Sequence, residues 1–266
     1  MQEWAFILGG SGGMGLAAAK KLAEKGFNLF IVHRDRRARL KLVLPEFEAL
    51  RQKGHEIISL NENALLEEGI QTILEEMKAR VPRQSIKIYL HAIAMGNVKP
   101  LYRPDEGPVL SSDDLMQTIH AMGVSFFEWA RLLIDHGFFA PKARILGLTS
   151  EGSHLVGKGY AAVGSAKAVL ENLCRYMAVE LAPLGITSNL LNAGVTDTPA
   201  LRMIPGAEQY LQKAAERNPS GRLTTPEDVA NVISLFTQNE SDWINGAIIR
   251  VDGGEQISGW SVATER

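Results

Sequence analysis

A short apolar run, Trp4-Ala5-Phe6-Ile7-Leu8, opens directly onto Gly9-Gly10-Ser11-Gly12-Gly13-Met14-Gly15. Beyond it Leu16, Ala19, Leu22 and Ala23 recur at helical spacing, Gly26 ends the pattern, and Phe27 to Val32 reads as a second strand. Strand, glycine turn, helix, strand is the opening βαβ unit of a dinucleotide-binding sheet. Glycines let the backbone approach a pyrophosphate, and the free N–H groups and positive dipole end of the following helix hold its charge. Gly9, Ser11, Gly12, Gly13, Met14 and Gly15 are therefore expected at the phosphates.

The remainder alternates in the same manner. Strands are expected at Glu56–Leu60, Ile86–Ala94, Ala143–Thr149, Ile186–Leu191 and Ala247–Val251. Helical patterns lie between them, among them Leu65–Ala79, Ser112–Phe138, Tyr160–Leu181 and a segment from Pro226 with Thr225 as N-cap. The expected fold is α/β: a doubly wound parallel sheet of about seven strands with helices on both faces. The 266 residues read as one domain spanning 1–266. Met95–Ser111 and Val195–Ser220 break the rhythm, and long insertions of this kind often serve as lids or binding loops. In the second, Leu201, Met203, Ile204 and Tyr210 are candidates for an apolar pocket or for simple core closure.

A formal net charge of −2 leaves no basic footprint for nucleic acid or an anionic membrane. The single cysteine, Cys174, excludes an internal disulfide, and its neighbours Leu170, Leu173 and Met177 suggest packing. No apolar run reaches bilayer length and no signal segment is seen before the first strand, so a cytoplasmic protein is expected. No Cys/His/Asp cluster has ligand spacing, so no metal is expected. His33 and His55 fall at strand edges and read as structural. His154, in the loop before Tyr160, is a weaker candidate for substrate contact.

Tyr160 and Lys167 stand seven residues apart at the start of a long helical pattern. Seven residues at about 100° each return nearly to the same face. An ammonium beside a phenol favours the phenolate, so the pair suits proton donation to an oxygen that gains charge.

With the glycine loop and this pair, the chain resembles the short-chain dehydrogenase/reductase family along nearly its whole length. The family's Thr-Gly-x3-Gly-x-Gly appears as Leu8-Gly9-x3-Gly13-x-Gly15. Counting back from Lys167, the family's usual tyrosine position is Val163 and its serine position is Ser150. The Tyr-x6-Lys spacing is similar to the divergent enoyl-acyl-carrier-protein reductases, as is His91-Ala92-Ile93-Ala94 after the fourth strand. Tyr160 to Glu171, with Asn218-Pro219-Ser220-Gly221-Arg222, looks most similar to their NADPH-dependent type III class. The resemblance implies Tyr160, Lys167 and Ser150 as the catalytic set. It implies Ala92, Lys167, Gly194, Val195, Thr196 and Thr198 at the cofactor. Two departures stand out: the usual tetrad asparagine falls near Ser125, and the position of a second aromatic, ten before Tyr160, is Ser150.

The second strand ends in Val32-His33-Arg34-Asp35-Arg36-Arg37. An acid here would bind a ribose 2′-hydroxyl; His33 and Arg34 stand at that position, and the arginines suit a 2′-phosphate. NADPH is therefore expected, with His33, Arg34 and Arg36 near the phosphate and Asn61 near the adenine. The expected activity is hydride transfer to a trans-2-enoyl thioester carried on acyl carrier protein or coenzyme A. A 3-oxoacyl-thioester or polyketide ketoreductase is the alternative, and a non-catalytic nucleotide sensor a further one. An apolar row on the catalytic helix, Leu170, Leu173, Met177 and Leu181, together with the family's habit of forming tetramers through this helix, implies a homo-oligomer, expected as a tetramer.

Overall fold

The alternation of side chains along β1 (Trp4–Leu8) sets up the architecture. Trp4, Phe6 and Leu8 enter one core, while Ala5 and Ile7 enter another on the opposite face. Such a strand is buried on both sides, as a parallel sheet covered by helices requires. The computed structural model describes residues 2–199, 201–203 and 206–258; Ile204 lies outside them.

Seven strands form one parallel sheet in the order β3-β2-β1-β4-β5-β6-β7. The others are β2 (Asn28–His33), β3 (Ile57–Asn61), β4 (Ile86–His91), β5 (Phe139–Thr149), β6 (Thr187–Ala193) and β7 (Ile248–Val251). The helices are α1 (Gly13–Glu24), α2 (Arg37–Arg51), α3 (Glu67–Arg80), α4 (Ser112–Ile119), α5 (Ser125–Asp135), α6 (Ala161–Glu180), α7 (Ala207–Arg217) and α8 (Pro226–Leu235). Residues of α1, α2 and α8 pack one face, with Leu22, Phe47 and Ile233 fully buried. Residues of α3, α5 and α6 pack the other around Phe6, Trp129 and Leu170. The order reverses between β1 and β4. A crevice at the carboxyl ends of such strands is where α/β sheets bind ligands.

Local chemistry explains several boundaries. Thr225 caps α8 through a reciprocal capping box with Asp228, and Pro226 takes the first turn. β4 stops at His91, short of the expected Ala94. β5 starts at Phe139, earlier than Ala143, after a register shift between Ile86 and Ile88 on β4. The expected helical stretch Ser112–Phe138 is interrupted by a π turn at His120–Val124 and ends at Asp135. α7 lies inside the 195–220 insertion.

Three of the four residues expected to form a spare apolar face of α6 lie on its sheet side instead; Leu173 is half-buried outside that core. Leu170 and Met177 belong to the main core, and Leu181 packs against it. The exposed apolar side chains of α6 are Tyr176 and Val179. Cys174 is fully buried and accepts from Ser188 Oγ at 3.3 Å; burial pushes its thiol up to about 11, so it packs rather than reacts.

Candidate active site

The glycine loop leaves β1 at the switch point. Gly9 has φ of +82°, and a Cβ there would lie 2.6 Å from the carbonyl oxygen of Ala92. At Gly15 a Cβ would run into the backbone of Gly9, so this turn closes only without side chains. The Gly9 amide donates to Val32 and the Ala92 amide to Leu8, tying the loop to β2 and β4. No side chain among the described residues caps α1, which leaves its first amides for an anion. Thr198, on the segment after β6, stands close to Gly13. Ser11, Gly12 and Met14 complete the same turn. These features fit the pyrophosphate of a dinucleotide.

At the end of β2, His33 is packed inward against Phe47, its Nδ1 2.9 Å from Asp35 Oδ2. Burial holds its pKa below the ordinary value despite that carboxylate. Arg34 and Arg36 are exposed, Arg34 Nη2 lying 3.2 Å from Met95 Sδ. Asp35 is occupied on both oxygens, since Arg39 Nε lies 3.0 Å from Oδ1. Arg39 also donates to the Ser11 carbonyl at 3.3 Å, in the space a Gly12 side chain would fill. Arg39 was not singled out from the sequence, because it lies on α2, beyond the strand end. Asn61 uses its amide on the backbone of Asp35, accepting from its N–H at 2.7 Å and donating to its carbonyl at 3.1 Å.

Lys167 is buried and donates to the Leu148 carbonyl at 2.7 Å. Burial pulls its pKa down to about 8, against the opposing charge of Glu171. Tyr160 is the N-cap of α6, with φ −102° and ψ 6°. Its ring lies against Gly152, beside Ser150. Burial raises its phenol pKa first, the Ser150 hydroxyl lowers it, and the charge of Glu151 raises it; Lys167 is not among these influences. The seven-residue spacing does not act as two clean helical turns, because Tyr160 lies outside the helical run. Ser150 Oγ is buried and makes no hydrogen bond of good geometry among the described residues, though it is near enough to temper Tyr160. Val163, at the family's usual tyrosine position, is buried with Ala121, Met122 and Ala166.

His91 Nε2 lies 2.8 Å from Ser125 Oγ, and Ser125 donates its one proton to the Ala121 carbonyl at 2.9 Å. His91 therefore carries its proton on Nε2. Burial first, then the charge of Lys167, pulls its pKa to about 3, so it is neutral. A histidine–serine bond thus occupies the place expected of the asparagine. His154 is exposed, with Nε2 3.4 Å from Glu171 Oε2, and Glu171 accepts from Thr149 Oγ1 at 2.8 Å. Ala92 borders Gly9, Gly194 packs against Thr224 and Glu255, and Val195 donates its amide to Glu255 Oε2 at 2.9 Å. Thr196 is buried and bridges to Thr224. Sequence reasoning also missed Glu151, Arg217 and Glu255, which form one ionic cluster with Tyr210; the repeat of Tyr210 and Arg217 at seven residues was the available signal.

Among the described residues, no helix is long and apolar enough to cross a membrane, and no group of three or more His, Cys, Asp or Glu is gathered to hold a metal.

A family model described as enoyl-(acyl carrier protein) reductase matches residues 9–256. The 1-cyclohexenylcarbonyl-CoA reductase of Streptomyces collinus is 27% identical over 96% of this chain and 88% of its own length. The acetoacetyl-CoA reductase of Cupriavidus necator is 25% identical over 95% and 98%. An enoyl-acyl-carrier-protein reductase (NADH) from Aquifex aeolicus superposes with a TM-score of 0.83 at 22% identity, covering 97% of this chain and 98% of that one, a likeness of fold. The chain therefore belongs to the enoyl-(acyl carrier protein) reductase family of short-chain dehydrogenase/reductases, oxidoreductases that use a nicotinamide cofactor.

Proposed function

We propose that the protein is an NADPH-dependent reductase of trans-2-enoyl thioesters borne on acyl carrier protein or coenzyme A. The observation that carries this is the position of Tyr160. It precedes α6, three residues before Val163, which is buried in a small core and bears no donor. The donor thus stands at the N-cap, before the first turn that carries Val163. Hydride addition to a β-carbon places charge on an oxygen three bonds away, whereas in ketone reduction that oxygen is bonded to the accepting carbon. A displaced donor suits the remoter oxygen.

The bound cofactor supplies the hydride. Gly9 to Gly15 and the amides of α1 hold its phosphates, and Thr198 closes over the loop. Arg34 and Arg36 offer exposed charge for a 2′-phosphate, while the carboxylate of Asp35 is neutralised by Arg39 and so repels a phosphate less. Lys167 serves the nicotinamide ribose. Tyr160 donates its hydrogen bond to the thioester oxygen as charge develops, and Ser150 Oγ supports the same oxygen.

Ser150 favours a second reading. Its buried hydroxyl beside Tyr160, without a hydrogen-bond partner among the described residues, would equally serve a 3-oxoacyl thioester. Purified protein mixed with NADPH and a crotonyl thioester tests the first reading by absorbance loss. Absence of cofactor oxidation with both enoyl and 3-oxoacyl thioesters would leave a nucleotide sensor. A cytoplasmic homotetramer is part of this proposal, assembled through α6, where Tyr176 and Val179 are 61% and 75% exposed. A monomer mass by light scattering would contradict that assembly.

A further inference from the structure

Helix α7 turns two side chains, seven residues apart, onto one carboxylate. Tyr210 Oη donates to Glu151 Oε1 at 3.2 Å, and Arg217 Nη2 donates to Glu151 Oε2 at 2.6 Å. Arg217 also donates to Glu255 Oε1 at 2.5 Å. Glu255 is 1% exposed, and its other oxygen takes the Val195 amide. Glu151 directly follows Ser150 and opens the single turn whose Gly152 abuts the Tyr160 ring. The insertion and the catalytic loop are thus joined through Glu151, and both phenols border it.

The two phenols differ in hydrogen-bond character. A phenol has one proton and lone pairs to accept with. Tyr210 gives its proton to a carboxylate held in place by Arg217, so its oxygen is left to act as an acceptor. Tyr160 has a hydroxyl beside it and no carboxylate partner among the described residues, so its proton remains available. Glu151 bonds Tyr210 and the next residue, Gly152, abuts the Tyr160 ring, so one short turn meets both phenols. Tyr210 is 44% exposed, so an incoming molecule can meet it. A thioester oxygen needs a donor. The amide N–H two methylenes beyond the sulfur of a pantetheine-type thioester needs an acceptor.

We propose that Tyr210 reads the carrier: its oxygen accepts the amide N–H that lies two methylenes beyond the thioester sulfur, with its own proton fixed on Glu151, while Tyr160 donates to the thioester oxygen. This rests on the thioester reading above. It makes Tyr210 a specificity residue for amide-bearing thioesters, placed on the insertion rather than on the catalytic helix.

Saturated thioesters test this without turnover. Calorimetry on the cofactor-loaded protein compares S-butyryl-N-acetylcysteamine, which has the amide, with S-ethyl thiobutyrate, which lacks it. One hydrogen bond of ordinary strength predicts about a tenfold preference for the first. In Tyr210→Phe that ratio falls to about one, with the cofactor affinity reporting an intact fold. Glu151→Ala lowers the ratio too, because the phenol proton then has no side-chain acceptor to fix it while the ring stays in place. A ratio that persists in Tyr210→Phe overturns the role of Tyr210 alone. Failure of both compounds to bind the unaltered protein overturns this role together with the thioester reading.

Discussion

The ammonium of Lys167 lies 2.7 Å from the carbonyl oxygen of Leu148, deep between α6 and the end of β5. That site removes the charge from water, and burial brings the pKa down to about 8 from the usual 10.5. Affinity of the free protein for NADPH should therefore weaken as pH rises through about 8 and the ammonium is lost. The effect on stability has the opposite sign. Between about 8 and 10.5 the unfolded chain holds the proton that the folded chain has released, so this group adds stability as pH rises. Fluorescence titration of NADPH at a series of pH values reads the first effect; a flat profile across this window would exclude Lys167 as the titrating group.

Tyr160→Phe and Lys167→Ala should fail differently. Phe keeps the ring against Gly152 and removes only the donor, so kcat drops about 100-fold or more with cofactor affinity nearly unchanged. Lys167→Ala weakens both cofactor binding and turnover. Full activity in Tyr160→Phe would pass the donor role to Ser150 or a water.

NADPH should be preferred over NADH by roughly 100-fold in kcat/KM, the scale of a few kcal/mol of charge-assisted contacts. Arg34→Ala should lose most of that preference and spare NADH use. Equal kcat/KM for the two cofactors in the unaltered protein would refute the assignment.

The sheet was legible because buried parallel strands are locally apolar: Trp4–Leu8 and Asn28–His33 are buried throughout. Thr225 announced α8 through its side chain, and the capping box is present. The π turn was not legible, since Met122-Gly123-Val124 carries no local mark that separates it from an α-helix. α7 carries only one buried residue, Ala214, so its apolar pattern was too sparse to declare a helix. Gly9 and Gly15 meet backbone of Ala92 and of the loop itself, as a tight glycine turn should, but Arg39 over Gly12 needed the path of α2. The bond between Glu151 and Arg217 spans 66 residues, and the spacing of Tyr210 and Arg217 places them on one face without naming Glu151 as their partner.

Phe6 is fully buried among Phe30, Tyr89 and Trp129, with ring centroids 5.8, 5.6 and 5.2 Å away. Phe6→Ala should destabilise the fold by about 3–5 kcal/mol through lost burial and the cavity left behind. Urea unfolding followed by circular dichroism measures it; a loss under about 1 kcal/mol would mean that the core collapses around the gap.

The most direct test compares crotonyl and acetoacetyl thioesters on the same carrier at equal NADPH. The displaced Tyr160 predicts faster cofactor oxidation with the crotonyl compound and a saturated acyl product by mass. Faster turnover of the acetoacetyl compound, with 3-hydroxyacyl product, would contradict the enoyl assignment and install Ser150 as the partner of a ketoreductase.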